Sequence, residues 1–200
     1  KEYLLNYFQK IPLEERKKVK YACSDMYEVY RDVVHKVFPS CCMLLDYFHL
    51  SQDFHRKMNE VRIKVMKGYK DNKASDEYYL LKKFNWLLFK NPEDEDKYGR
   101  LFDVERERKY NSHFKSYMNY YDLRKKLLEI NNDLTICYSL KLELVDFYSK
   151  STIDNAKVNL ENLIRSCIDT NIDEMIAFSN NLINWKQEII NSFTIVGTEF

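Results

Sequence analysis

The sequence predicts a mainly α-helical protein with a small α/β part near its N-terminal end. Three observations lead there. Only three Gly and three Pro occur in 200 residues, too few turn formers for an all-β sandwich or barrel. From about residue 49 onward, apolar residues recur at helical spacing almost to the end of the chain. Ahead of that stretch, residues 19–45 read as strand, helix, strand. The chain is 45% hydrophobic and 32% charged, a balance that sustains a packed core and excludes wholesale disorder. Its length suits one ordinary domain, or one domain plus part of another.

In order along the chain, residues 2–10 form an amphipathic helix with Tyr3, Leu4, Tyr7 and Phe8 on one face. Pro12 breaks it, and Glu14 to Lys18 is a charged turn. Val19 to Cys23 reads as a short strand ending in Ser24-Asp25. Residues 26–37 are helical, with Tyr27, Tyr30, Val33, Val34 and Val37 at 3.6-residue spacing, and Pro39 stops them. Cys41 to Leu45 is a second short apolar run, a buried strand by length and flanks. The intervening connection is long enough for a right-handed crossover between parallel strands. Helices follow at about 49–70, 76–90, 97–121, 122–131, 134–149, 154–168 and 172–190. Ser75 or Asp76 starts the second of these, and Asn91-Pro92 ends it. Asn131-Asn132-Asp133 separates two others, and Ser151 to Asp154 opens the next. The β-branched run at 192–196 is a short strand or an extended link. The expected division is therefore 1–50, an α/β part; 51–190, a helical region; and 191–200, a return segment.

Net charge is +1, which excludes a polybasic tail or an acidic solvating region as the main feature. The charge is unevenly placed. Residues 1–130 hold 27 basic and 21 acidic side chains, and residues 131–200 hold 5 and 10. That asymmetry places any polyanionic partner near the first part, although solvated helix faces produce it too. No run of 18 apolar residues exists, so no membrane span is expected. The five cysteines, Cys23, Cys41, Cys42, Cys137 and Cys167, are odd in number and lack zinc spacing. Reduced thiols in a cytoplasmic protein are the plain reading. KEYLLNYFQK has no initiator Met and no secretory apolar region, so the chain reads as a piece of something longer.

In open α/β sheets, ligands sit outside the carboxyl ends of the strands. Asp25 and Asp46 follow the two strand ends there, a plausible site for a hard cation beside a phosphate. The bland alternative is capping: Asp25 with Glu28 three residues on resembles a capping box, and Asp46 heads the next helix. Asp46 and His49 are spaced to hydrogen-bond each other at the strand-to-helix junction. His49, Asp53 and His55 do not make a convincing zinc set. The helix that follows is basic, with Arg56, Lys57, Arg62, Lys64, Lys67 and Lys70, and Lys73, Lys82 and Lys83 lie beyond. Tyr69, Tyr78, Tyr79, Phe84 and Trp86 interleave with them. Such lysines and arginines bind a DNA backbone without reading its sequence, and the aromatics either stack on distorted bases or belong to the core. Cys41 and Cys42 sit on a strand with an apolar environment, unsuited to a thiolate nucleophile. No Gly-rich phosphate loop is present.

The segment VKYACSDMYEVYRDVVHKVFPSCCMLLDYFHLSQDFHRKMNEVR (19–62) resembles the ISL-three type of bacterial insertion-sequence transposases, of the DDE superfamily. The shared pattern is a strand, Asp25-Met26, a helix bearing Tyr30, Phe38-Pro39, an apolar strand, Asp46-Tyr47-Phe48-His49, and a helix carrying Val61-Arg62. Later stretches, 78–91, 133–148 and 181–193, resemble the family as well. The resemblance implies a ribonuclease-H-like core, of which 1–50 would be part, interrupted by a large all-helical insertion over 51–190. It implies Mg²⁺ or Mn²⁺ held by three carboxylates, double-stranded DNA as partner and a homo-oligomer as active complex. By position Asp25 matches the second catalytic Asp and metal ligand, and Asp46 and His49 match an accessory motif. A rival assignment makes Asp46 the ligand and Asp25 a cap. Arg56, Lys57 and Arg62 are candidate phosphate contacts. The first and third acids are expected outside this sequence, so the chain alone is expected to be inactive and to hold no metal tightly. The competing class is a non-enzymatic helical module that binds DNA or protein.

Overall fold

A computed structural model describes residues 1–194. The chain opens with α1 (Glu2–Gln9) and the short α2 (Leu13–Arg16), then β1 (Tyr21–Ser24), α3 (Glu28–Val37) and β2 (Cys42–Leu45). β1 and β2 pair in parallel, Tyr21 opposite Cys42 and Ser24 opposite Leu45. Expectation and structure agree here: two short apolar runs, one crossover helix, and parallel strands whose carboxyl ends share a rim. Among the described residues this sheet has two strands, too few to establish a ribonuclease-H-like core.

The remainder is dominated by helices: α4 (Tyr47–Lys67), α5 (Asp76–Lys83) with a 3₁₀ turn at Asn85–Phe89, α6 (Tyr120–Glu129), α7 (Asn132–Lys150), α8 (Ala156–Asp169), α9 (Asp173–Asn184) and α10 (Lys186–Ser192). Their starts follow local chemistry. Ser75 accepts a hydrogen bond from the Tyr78 amide at the head of α5, and Asn131 accepts from the Asp133 amide at the head of α7. Asn119 and Asp122 form a reciprocal capping box at α6. Leu50, Phe54, Met58 and Val61 place one buried stripe on α4. Phe54 meets Phe178 of α9 edge-to-face, with centroids 5.0 Å apart. One continuous apolar core runs from Met43 and Leu45 to Phe193.

Three expectations need correction. The helix predicted over 97–121 is absent. Two small hairpins stand there, β3 (Glu95–Asp96) with β4 (Gly99–Arg100) and β5 (Lys109–Asn111) with β6 (Ser116–Met118). Gly99 and Lys115 adopt positive φ, 96° and 49°, which a helix does not tolerate. The stretch 51–190 is therefore mostly helical, not all-helical. The predicted 76–90 helix tightens to 3₁₀ geometry after Lys83. The predicted 172–190 helix is broken at Trp185, which ends α9 and opens α10. Of the predicted strand or link at 192–196, Ser192 closes α10, and residues 195–196 lie outside the described residues, as does most of the 191–200 return segment. α10 itself packs on β2, where the Asn191 Nδ2 donates to the Met43 carbonyl at 2.8 Å.

Candidate functional site

The shared rim of β1 and β2 carries Asp25 and Asp46, and the two carboxylates are used differently. Asp46 is the N-cap of α4: its Oδ1 accepts from the Phe48 amide at 2.9 Å. Its Oδ2 lies 3.9 Å from the His49 Nε2, too far for a hydrogen bond. Asp25 caps nothing. The N-cap of α3 is Tyr27, without a side-chain bond, and Glu28 turns instead to Asn184 and Arg31. The Oδ1 of Asp25 is buried and has no hydrogen-bond partner, an arrangement that costs stability unless something else uses it.

Asp25 and His49 line an open depression of about 400 Å³, together with Met26, Tyr27, Gln52, Asp53 and Arg56. Asp53 forms the back of this depression. Only 5% of it is exposed, and both of its oxygens are occupied: one accepts from Arg56, the other from the Asn181 Nδ2 at 2.7 Å. The side chain of Arg56, anchored on one edge, remains largely exposed. In the sequence Asp53 looked like one member of a weak zinc set; its actual partner lies 128 residues away, which no local motif announces.

The three expected phosphate contacts diverge. Arg56 reaches the depression. Lys57 pairs with Glu60 at 3.2 Å and is not part of the lining. Arg62 is turned inward and only 9% exposed; its guanidinium donates to the Leu81 carbonyl at 2.7 Å and to Asn59 at 2.8 Å. In that position Arg62 ties α4 to the last turn of α5. The reason is local. Leu81 lies in the last turn of α5, where carbonyls lack helical partners. Further along α4, Lys64 is tied to Glu174 at 2.9 Å, so the basic stripe is partly neutralised.

The thiols offer no rival chemistry. Burial, then the Asp46 charge, raises Cys23 above the ordinary thiol range, and burial raises Cys41 and Cys42. Cys137 and Cys167 are pushed up to about 12 by burial. A protonated thiol is a poor nucleophile. His55 is packed edge-on against Phe89 and lowered by burial.

Among the described residues no three His, Cys, Asp or Glu side chains converge to hold a metal ion. The donor set supplies one unpartnered carboxylate oxygen, the buried Oδ1 of Asp25. It fits a single ligand of a shared site, not a complete one. No described helix is long and apolar enough to cross a membrane.

No curated protein and no solved structure matches the chain. A family model described as a transposase, of the DDE and ISL-three type, matches residues 1–198. With nearly the whole sequence covered, the chain belongs to the ISL-three family of DDE transposases.

Proposed function

We propose that this chain serves the cutting and joining of double-stranded DNA at insertion-sequence ends, and that Asp25 is its contribution to metal binding. One observation carries the assignment: a buried carboxylate oxygen without a partner, at the carboxyl end of β1, on the rim of a depression that also holds His49 and Arg56. A Mg²⁺ or Mn²⁺ ion bound there with further carboxylates would supply charge stabilisation and an acidified water for in-line phosphoryl transfer. Asp25 alone cannot hold such a pair of ions. The remaining acids are assigned to sequence outside this chain, which by itself is then inactive. Asp46 shapes the rim by starting α4, and His49 stands on that first turn facing the depression. Arg56, held by Asp53, presents a cation to a phosphate oxygen. The active complex is a homo-oligomer on DNA in this reading.

The competing reading is a non-enzymatic interaction module. It draws on one fact, that Asp46 is fully explained as a helix cap. The two are separated by end-cleavage assays on the full-length protein that carries this sequence, in Mg²⁺, with Asp25→Ala and an electrophoretic DNA-binding control. Asp25→Ala is expected to abolish cleavage and keep binding. Cleavage at wild-type rate in Asp25→Ala removes Asp25 from the chemistry and leaves the module reading standing.

A further inference from the structure

The hairpins that replace the predicted helix build a second cavity, of about 310 Å³, between themselves and α5 and α6. That is the lower end of the range for small-ligand sites, roughly 300–1,000 Å³. Its floor is apolar, from Met118 and Leu123, both buried. Its walls are aromatic, and two of them are strongly exposed: Tyr98 at 66% and Tyr110 at 58%. The backbone holds Tyr98 there. It sits in the two-residue turn between β3 and β4, where the Tyr98 amide donates to the Asp96 Oδ1 at 2.8 Å. Asp96 is fixed in turn by Arg106 at 2.6 Å. The backbone of Tyr98 is thus fixed at the tip of a hairpin, with its side chain largely exposed.

The charges around the ring point to the class of ligand. Lys97, Lys109 and Arg106 lie 4.8, 5.7 and 6.0 Å from the Tyr98 centroid. Lys83 stands over Tyr79 on the opposite wall at 5.3 Å. Among the described residues, Lys83, Lys97 and Lys109 have no carboxylate partner, whereas Arg106 does. Free hydrogen-bonding groups remain inside as well. The Oδ1 of Asn111 is taken by the His113 and Phe114 amides, which leaves its NH₂ group to donate, and the Glu107 carboxylate can accept. Aromatic walls, an apolar floor, one donor, one acceptor and unpaired ammonium groups at the rim are what a nucleobase with its flanking phosphates requires. A base stacked inside a duplex cannot enter such a cavity; an unpaired one can.

We propose that the hairpin pair binds an unpaired nucleotide of DNA, its base against Tyr98 and its flanking phosphates on Lys83 and Lys109. The proposal takes only the identity of the polymer from the transposase reading. Its test runs in chelator, where Asp25 has no metal to hold, so a failed cleavage assay and a failed result here are separate outcomes. The protein is titrated by fluorescence anisotropy against a short labelled duplex and against the same duplex with one bulged adenine. Wild type is expected to prefer the bulged duplex. Tyr98→Ala, at an exposed position that leaves the fold intact, is expected to lose roughly 5- to 100-fold on the bulged duplex and little on the paired one. Lys83→Gln with Lys109→Gln is expected to weaken both and flatten the salt dependence. Equal affinity of wild type for the two duplexes overturns the proposal, as does an unchanged preference in Tyr98→Ala.

Discussion

Lys141 lies in the middle of α7 with only 2% of its surface exposed. Its ammonium donates to the Lys90 carbonyl at 2.6 Å and stands 5.1 Å from the Tyr138 ring. Burial is the main reason its pKa falls from 10.5 to about 8; Asp94 opposes the fall, while Arg124 and Lys90 add to it. The unfolded chain keeps this proton up to about 10.5, and the folded chain releases it near 8. Between those values the unfolded state binds more protons, so stability rises with pH across the window. Below about pH 8 the penalty for burying the charge is present in full. The gap is worth about 3 kcal/mol as an upper bound. Urea unfolding of wild type and Lys141→Met near pH 7 and near pH 10 isolates this effect, because other groups cancel in the difference. Wild type is expected to gain about 2–3 kcal/mol on the variant as pH rises. A difference between the two proteins that stays flat over that range refutes the reasoning.

Four further substitutions have expected outcomes. Asp46→Ala removes the cap of α4 and costs about 1 kcal/mol, whereas Asp25→Ala removes an unpartnered buried oxygen and leaves urea stability within about 0.5 kcal/mol of wild type or raises it. Arg62→Ala strips the Leu81 carbonyl of its partner and lowers stability by about 2–3 kcal/mol, with unchanged DNA affinity in an anisotropy titration. Phe54→Ala empties the edge-to-face contact between α4 and α9 and costs about 3–5 kcal/mol by urea unfolding.

The N-terminal α/β unit was legible because its signals are local: apolar runs bounded by Pro39 and by Asp25 and Asp46, with a 3.6-residue pattern between them. Ser75 and Asn131 marked helix starts for the same reason. The hairpins were not legible. Leu101 and Phe102 are buried and sustain an apparent helical stripe, while the deciding features are backbone ones, the positive φ of Gly99 and of Lys115. Asn119 fixes that region by donating to the Asp103, Val104 and Arg106 carbonyls, contacts that span 13 to 16 residues and leave no periodic trace. The candidate rim was half visible. Asp25, Asp46 and His49 were found by position, but Arg62 looked like one more surface cation, and the role of Asp53 depends on a partner from the far end of the chain. Capping explains Asp46 and does not explain Asp25, a distinction that lies in three-dimensional placement and not in spacing.

That distant partner has a consequence for the order of assembly. Asp53 is held by Asn181, and the carbonyl of Met43 by Asn191, so the rim is completed by residues made long after it. During synthesis β1, α3, β2 and α4 leave the ribosome well before α9 and α10, and until those helices arrive the second Asp53 oxygen and the Met43 carbonyl lack their partners. Closing so long a loop is slow, and the half-built rim lacks its ties to α9 and α10 in the interval. A chain cut short ahead of α9 keeps every local motif of the rim and loses the ties that set its geometry.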